Sequence, residues 1–435
     1  MEGEFNVATA VASIINSMLG SGINFMPASF SNSGTLSALF FLFCIACLTT
    51  YSIYVLFRCS SKYSGELSYA NLGKNHSKYL KITVDLVIVC ASFFTALGFQ
   101  KYINTLTFFY IKEYFPNKSA EFDASLKSLI LVYSTIPLTA LAMIRNFGNL
   151  KILSYMGVFC VTSLIVVLGF FNLWIPDYIN DQTRLVDKTT DFSFGLSYFI
   201  IAMSVQVNIP QVYKEIKDKS KMNLLKIAVF ASFFGFAVYG LAGYLGYRLV
   251  GDYIGNNDII MQFLNKKSHI NQYLTSIGSN LGYLLKFQGF CAILILLVGF
   301  PMQLGPATRY FKQLIKTKYP NSIKFHGLIV LVLMLVLTTI NLIPNVSLEL
   351  VYGLLGPSAV GFISFLFPFI FYILNKRDSL DSKLVKMLKL IPSYLICCFS
   401  LIYCCYGCTM AVINNPNCDN GMKNSTTLNT NMTTH

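Results

Sequence analysis

The chain has 435 residues, of which 54% are hydrophobic and only 12% are charged. Soluble domains carry about 25% charged residues, so this composition excludes an ordinary soluble protein and indicates a membrane protein. The formal net charge of +14 is also found in nucleic-acid-binding proteins, but the distribution of the basic residues argues against that class.

Apolar runs long enough to cross a bilayer, roughly 18 residues or more, recur along nearly the whole chain. We predict an all-α integral membrane protein with eleven transmembrane segments, at residues 6–31, 35–57, 82–111, 126–144, 152–175, 192–212, 226–250, 284–306, 326–344, 348–374 and 390–413. The connections between them are too short for a separate soluble domain. Residues 1–5 lack the basic region of a signal peptide, so we expect a short cytosolic N-terminus.

The basic residues are divided unequally between the two sides of the membrane. With the N-terminus in the cytosol, the five cytosolic connections contain 22 lysines and arginines, whereas the opposite face contains ten. This asymmetry follows the positive-inside rule and fixes the predicted orientation. The positive charge is therefore explained by membrane topology, and we expect no nucleic-acid partner.

Three asparagines on the predicted outer side lie in acceptor sequences for N-glycosylation, Asn-x-Ser/Thr. They are Asn117, Asn424 and Asn431, and they predict a glycoprotein. Because the number of segments is odd, residues 414–435 form an extracellular or lumenal tail. This tail is polar and rich in asparagine and threonine, so we expect it to be disordered.

The sequence contains no motif that we associate with catalysis. We find no phosphate-binding loop, no zinc-protease or nucleophile-elbow pattern and no dinucleotide fingerprint. Eleven of the twelve cysteines lie in or at the ends of apolar segments, where buried cysteines act as small hydrophobic residues. We therefore expect neither an enzyme nor a bound metal or organic cofactor.

Two predicted segments are interrupted by residues that weaken helices. The first segment is interrupted within residues 20–27 and the sixth within residues 204–210, and each interruption includes a proline. Hydrocarbon offers no water to backbone groups that lose their helical partners, so such an interruption survives only inside protein or beside a water-filled cavity. Small residues can also serve close helix packing alone, but two interruptions five segments apart favour a functional site.

Paired interruptions in two five-helix halves are typical of inverted-repeat transporters with a binding site at the membrane midplane. Freed N–H groups attract an anion and freed C=O groups attract a cation, so an amino acid zwitterion suits such a site. The residues predicted to hold the carboxylate are Gly20, Ser21, Gly22 and Ile23. Those predicted to face the ammonium group or the side chain are Ser204, Gln206 and Asn208.

Three short motifs lie in the first, sixth and eighth segments. The first segment contains Asn-x-x-x-Gly-Ser-Gly-Ile, from Asn16 to Ile23, and the sixth ends in Pro-Gln-Val-Tyr-Lys-Glu-Ile. The eighth contains Pro301 and Pro306, followed by Arg309. Together these motifs resemble those of the amino acid/auxin permease family, and most of all its sodium-coupled neutral amino acid transporters of systems A and N.

The resemblance extends over all eleven predicted segments and implies the LeuT-type fold, a 5+5 inverted repeat plus one helix. The two five-helix repeats correspond to residues 6–175 and 192–374, and the eleventh helix to residues 390–413. The resemblance also implies a symporter. Such a protein carries out secondary active transport of small neutral amino acids by alternating access through a site at broken helices 1 and 6.

The coupling ion is the point at which this chain departs from the family. In the sodium-coupled members, an asparagine of the first helix and a hydroxyl residue of the eighth contribute to the sodium site. Asn16 matches the asparagine, whereas Gly299 stands at the predicted place of the hydroxyl residue. Because a lost oxygen ligand weakens a cation site, we expect uptake to depend more on a proton gradient or on exchange than on sodium.

Other functions are compatible with parts of the pattern. The main alternatives are a non-transporting amino acid sensor with a transporter fold and a cationic amino acid transporter. A channel fits less well, because two broken helices indicate a closed midplane site. We expect a monomer whose partners are an amino acid and membrane lipid, in the plasma membrane or alternatively in a vacuolar or lysosomal membrane.

Overall fold

The structure is a computed structural model, and the residues it describes are 4–63, 67–115, 118–143, 151–175, 183–185, 192–255, 257–315, 322–343, 347–377 and 383–413. Within these ranges the chain is helical. The one strand-type pairing that they contain is an isolated parallel bridge between Phe5 and Ile216. The predicted glycosylation sites Asn117, Asn424 and Asn431 lie outside the described residues.

Eleven spans account for the eleven predicted segments. Spans 1–4 are Val7–Met18 with Ser21–Phe25 and Met26–Ser33, then Thr35–Ser60, Lys78–Lys112 and Ala120–Ala142. Spans 5–8 are Lys151–Trp174, then Phe192–Ala202 with Gln206–Asn208 and Ile209–Glu215, then Lys221–Val250 and Ser279–Ile315. Spans 9–11 are Ile323–Leu342, then Leu348–Leu355 continuing through Gly356–Val360, Phe362–Leu366 and Phe367–Arg377, and finally Lys383–Ile413.

Ten of these spans are each long and apolar enough to cross a membrane, and the two halves of span 1, bent by 60°, make the eleventh if they are counted as one span. The prediction of a multi-pass α-helical membrane protein is therefore confirmed. The structure adds short helices that hydropathy did not predict. Tyr69–Lys74 lies between spans 2 and 3, and Ile259–Leu264 and His269–Ile277 lie between spans 7 and 8.

Serine residues fix where several spans begin. The side chains of Ser119, Ser220, Ser322 and Ser347 each precede a span and accept a hydrogen bond from a backbone N–H of its first turn. A helix leaves its first N–H groups without helical partners, and a serine side chain satisfies one of them. The first three of these caps explain why spans 4, 7 and 9 begin a few residues before the apolar runs from which they were predicted, whereas span 10 begins at residue 348 as predicted.

Burial separates a central group of spans from a peripheral one. In the most apolar windows of spans 6 and 10, 72% of the residues are buried inside the protein, compared with 17% in span 4 and 22% in span 11. Spans 4 and 11 therefore present most of their apolar side chains outward, as expected for helices in contact with lipid. The interrupted span 6 lies at the centre of the bundle.

Span 10 is irregular as well, which the sequence analysis did not predict. Gly356–Val360 and Phe362–Leu366 are π-helical, and such turns often occur at functional sites. The widened turns leave carbonyl groups available to side chains of neighbouring helices. Tyr69 Oη donates to Ile363 O at 2.5 Å, and Ser52 Oγ donates to Ser364 O at 2.6 Å.

The second half of span 1, Met26–Ser33, is held against span 7 by glycines of span 7. A Cβ atom added at Gly243 would overlap the ring of the fully buried Phe30, and one added at Gly246 would overlap Pro27. Small residues at helix interfaces allow this close approach. The glycines of span 7 therefore fix the position of the half-helix that follows the first interruption.

We expect Gly243→Ala to destabilise the protein by about 1–3 kcal/mol, because the new methyl group overpacks the Phe30 site. Gly240→Ala is the matched control, since its Cβ atom would meet Leu39 at 3.5 Å, an ordinary contact. That variant should be neutral or up to ~1 kcal/mol more stable, because alanine favours the helix. Thermal unfolding of the purified variants in detergent measures the difference, and equal melting temperatures would contradict the packing described here.

Candidate functional site

The first interruption separates a regular helix from a short 3₁₀ turn. Val7–Met18 ends at Leu19, Gly20 is extended with φ −160° and ψ −160°, and Ser21–Phe25 continues as the turn. The freed carbonyl of Met18 accepts a hydrogen bond from the buried Tyr239 Oη at 2.6 Å. A tyrosine of span 7 thus satisfies one backbone group that the interruption leaves without a helical partner.

The second interruption is stabilised by one of its own side chains. Phe192–Ala202 ends before Met203, and Gln206 begins the next turn. The fully buried Gln206 accepts a hydrogen bond at Oε1 from the backbone N–H of Val205 at 2.8 Å. Its Nε2 atom is buried and has no partner among the described residues, so this amide group is available to a bound molecule.

The two interruptions touch each other. A Cβ atom added at Gly22 would lie 3.2 Å from the Cβ atom of Ala202, which is closer than an ordinary contact, so the two chain segments pack tightly here. Ser204 Oγ accepts a hydrogen bond from Ser364 Oγ of the irregular span 10 at 3.1 Å. Spans 1, 6 and 10 therefore meet at one place inside the bundle.

An open volume and unpaired backbone N–H groups lie next to the place where spans 1, 6 and 10 meet. A Cβ atom added at Gly20 would meet nothing within 4 Å, so the chain borders an open volume there. The N–H groups that precede the first hydrogen bond of the turn Ser21–Phe25 have no intrahelical acceptors, as at every helix start. That first bond runs from Ile23 N to Gly20 O at 3.4 Å. Donors beside free space form an anion-binding arrangement.

Aromatic side chains line the turn that follows. Phe25 stacks on Tyr198 with ring centroids 5.0 Å apart and planes at 6°, and it meets Tyr102 and Tyr352 at 5.4 Å each. The hydroxyl groups of Tyr198 and Tyr352 are buried and have no partners among the described residues. The interior therefore combines apolar ring surface with a few unsatisfied polar groups, which is typical of small-molecule sites.

A chain of buried polar groups leads from this turn toward the side of the bundle that the charge asymmetry predicts to be the outer side. Asn24 Nδ2 donates to Tyr102 Oη at 3.2 Å, and Tyr102 Oη donates to Asp258 Oδ1 at 2.6 Å. Asp258 is fully buried and precedes the helix Ile259–Leu264, which packs against the turn Ser21–Phe25 and against spans 3 and 8. We call Ile259–Leu264 the outer lid helix.

On the side predicted to face the cytosol, the start of the chain is bound to span 6. Phe5 N donates to Glu215 O at 2.7 Å, and Lys217 N donates to Phe5 O at 2.9 Å. These bonds form the bridge between Phe5 and Ile216 and tie the region before span 1 to the end of span 6. The first interruption thus lies between this bridge and the outer lid helix.

The predicted site residues have different surroundings in the structure. Gly20, Gly22 and Ile23 lie at the first interruption, and the side chain of Ser21 is outside the described part. Of the three predicted residues in span 6, Ser204 is half-buried, Gln206 is buried and Asn208 is exposed.

The predicted ion-binding pair lies on two different helices. Asn16 is in the first half of span 1, and a Cβ atom added at Gly299 of span 8 would lie 2.8 Å from the ring of Phe99. Gly299 thus provides close packing between spans 3 and 8. Among the described residues, no group of three histidines, cysteines or carboxylates is arranged to hold a metal ion.

Sequence reasoning missed several residues that the fold brings to this place. They are Phe25, Tyr102, Tyr198, Asp258, Tyr352 and Ser364. The Gly-Pro pair at residues 356–357 was a signal for the irregular part of span 10. The others carry no local signal, because tyrosines are common in this chain, which has 26 of them, and Asp258 lies in a polar connection.

Comparison with known sequences is consistent with this architecture. The chain is 21% identical over 374 residues to vacuolar amino acid transporter 5 of Schizosaccharomyces pombe, covering 84% of each chain. It is 22% identical over 423 residues to sodium-coupled neutral amino acid symporter 2 of Danio rerio, covering 91% of this chain and 81% of that protein.

Solved structures match the fold. MhsT in complex with L-phenylalanine matches with a TM-score of 0.58 at 12% identity, covering 93% of this chain and 100% of that one. Mhp1, a nucleobase-cation-symport-1 family transporter in a closed conformation with bromovinylhydantoin bound, matches with a TM-score of 0.56 at 13% identity, covering 95% and 94%. The chain therefore has the LeuT-type fold that the sequence predicts.

The family model described as transmembrane amino acid transporter protein matches residues 3–413, which include all eleven spans. Because the match extends over nearly the whole chain, this protein belongs to the transmembrane amino acid transporter family.

Proposed function

We propose that the protein carries small neutral amino acids across a membrane by alternating access, with the substrate bound where spans 1, 6 and 10 meet. The observation that carries this proposal is the contact between the two interruptions at Gly22 and Ala202, beside the open volume at Gly20. The arrangement offers backbone donors, an amide group and aromatic surface inside the bundle. The backbone donors and the free amide nitrogen of Gln206, which is also a hydrogen-bond donor, match acceptor oxygens such as those of the carboxylate. The aromatic surface matches the side chain of an amino acid.

In this proposal the carboxylate binds the N–H groups of Gly20, Ser21 and Gly22, and it takes over the N–H group of Ile23 from its long bond to Gly20 O. Ser204 and Gln206 face the ammonium group or the side chain, and Asn208, which is exposed, takes part only in another conformation of span 6. A neutral substrate is supported by the aromatic surroundings, since Phe25 lies among three tyrosines. It is also supported by the similarity to the neutral amino acid symporter of Danio rerio.

For the coupling ion, we propose a proton or exchange rather than strong sodium dependence. Asn16 supplies one oxygen, whereas the position of Gly299 is occupied by contact with Phe99. Glycine has no side-chain oxygen, so a sodium ion there would lose a ligand. The protein is proposed to act as a monomer, because both interruptions lie within one chain. The proposed location is the plasma membrane, with a vacuolar membrane as the alternative that the Schizosaccharomyces pombe relative supports.

Transport itself is tested by counterflow in proteoliposomes that contain the purified protein. We expect saturable exchange of labelled small neutral amino acids, with little change when choline replaces sodium. Amino acid methyl esters should not compete, because they lack the carboxylate that the first interruption is proposed to bind. Exchange of no amino acid would contradict the proposal, and preferred exchange of lysine or arginine would favour the cationic alternative.

The contact between the interruptions is tested by a compensating pair of substitutions. Gly22→Ala places a methyl group 3.2 Å from Ala202 Cβ, so we expect it to slow transport several-fold by separating spans 1 and 6. Ala202→Gly removes the opposing methyl group, and the double variant should recover part of the lost rate. Equal rates for Gly22→Ala and the double variant would show that the contact does not position the site.

The inner closure is tested by a cross-link. Cysteines placed at Phe5 and Ile216, which face each other in the bridge, should form a disulfide under mild oxidation because paired strand residues lie close together. Alternating access requires this side to open, so the cross-link should abolish transport, and reduction should restore it. Wild-type protein treated in the same way controls for the native cysteines, and full activity of the cross-linked protein would contradict an inner gate here.

A further inference from the structure

Asp258 stands out among the charged side chains of the outer side. It is fully buried, and its Oδ1 atom accepts three hydrogen bonds, from Tyr102 Oη at 2.6 Å, Ile260 N at 2.8 Å and Met261 N at 3.0 Å. Its Oδ2 atom is buried and has no partner among the described residues. A proton on Oδ2 would remove the buried charge and leave the three hydrogen bonds to Oδ1 in place.

The neighbours of Asp258 do not neutralise its charge. The titratable groups that face it are phenols, namely Tyr102 of span 3, Tyr198 of span 6 and Tyr352 of span 10. Within the described structure it takes part in no ion pair, although other carboxylates of the protein do. A carboxylate buried without a cation is costly, and protonation is the usual relief.

We propose that Asp258 is a proton-binding site that makes closure of the outer lid helix depend on the pH of the outer compartment. The proposal rests on the proposed function in one respect, namely that the outer lid helix opens and closes during transport. In the closed form Asp258 is enclosed between the lid and Tyr102. When the lid moves away, water reaches the carboxylate, and the proton returns to the side from which it came.

The direction of the effect follows from the pKa of Asp258 in the two forms. Burial is the main cause that raises its pKa from 3.8 to about 6 in the closed form, against the opposing hydrogen bond from Tyr102. In the open form the hydrated group has the ordinary value near 3.9. A group with a raised pKa in one form stabilises that form as the pH falls through the raised value, so acidification favours closure.

The size of the effect follows from the same two values. Between pH 7 and pH 5, the ratio of open to closed protein should fall about tenfold, because the closed form takes up a proton over this range and the open form does not. Since the proton on Asp258 enters and leaves on the outer side, Asp258 itself contributes no net proton movement to the cycle. In proton-coupled transport, by contrast, a proton crosses the membrane with the substrate.

Labelling of the lid measures this equilibrium without any transport. Ile260→Cys places a thiol on the lid at a position that is buried in the closed form, and a membrane-impermeant thiol reagent reacts with it when the lid opens. The same cysteine in an Asp258→Asn background controls for the pH dependence of the thiol itself. Asparagine caps a helix as well as aspartate does, so the fold of the lid is preserved.

We expect the labelling rate with Asp258 intact, divided by the rate in the Asp258→Asn background, to fall about tenfold from pH 7 to pH 5. Glu113→Gln is a second control. The hydrogen bond from Lys286 is the main cause that lowers the pKa of Glu113, so this group does not titrate over that range and its loss should leave the pH dependence unchanged. A ratio that is constant with pH would overturn the proposal and leave Asp258 as a helix cap only.

A transport assay provides a second test of the proton site. In proteoliposomes at fixed internal pH, wild-type exchange should respond to external pH between 7 and 5, and Asp258→Asn should exchange amino acids without that response. Failure of all exchange, with pH-dependent labelling intact, would contradict the proposed function but not the proton site. Normal exchange in both proteins with identical pH profiles would contradict the proton site alone.

Discussion

Backbone groups that lose their helical partners inside a membrane must find others, and this constraint organises the centre of the protein. At the first interruption, Tyr239 of span 7 donates to the freed carbonyl of Met18. At the second, the side chain of Gln206 accepts from the backbone N–H of Val205. Since unsatisfied groups cost several kcal/mol each in hydrocarbon, these partners allow the interruptions to persist.

The same requirement extends to span 10. Its π-helical turns leave carbonyl groups of Ile363 and Ser364 available, and Tyr69 and Ser52 donate to them. Ser364 also donates through its hydroxyl group to Ser204 in the second interruption. In all three irregular spans, backbone groups thus form hydrogen bonds with side chains instead of with the helix backbone.

The side of the bundle predicted to be the outer one contains carboxylates in two opposite environments. Glu113 lies near the surface and pairs with Lys286 at 2.9 Å and with Lys266 at 3.2 Å, so its charge is stabilised. Asp258 lies in the interior and faces neutral phenols, so its charge is destabilised. The first carboxylate ties the connection between spans 7 and 8 to the end of span 3. The second carboxylate, Asp258, makes the position of the same connection depend on protonation.

The sequence by itself determined the eleven spans and the two interruptions of spans 1 and 6, because hydropathy and helix-breaking residues act locally in the chain. It also identified Gly20 and Gly22 as special. The tertiary structure alone decided which residues meet them. Ala202 lies against Gly22, and Tyr102 and Asp258, 156 positions apart, share one hydrogen bond. Such contacts depend on how the helices pack and on which buried polar groups find partners. Neither can be predicted from a local sequence pattern.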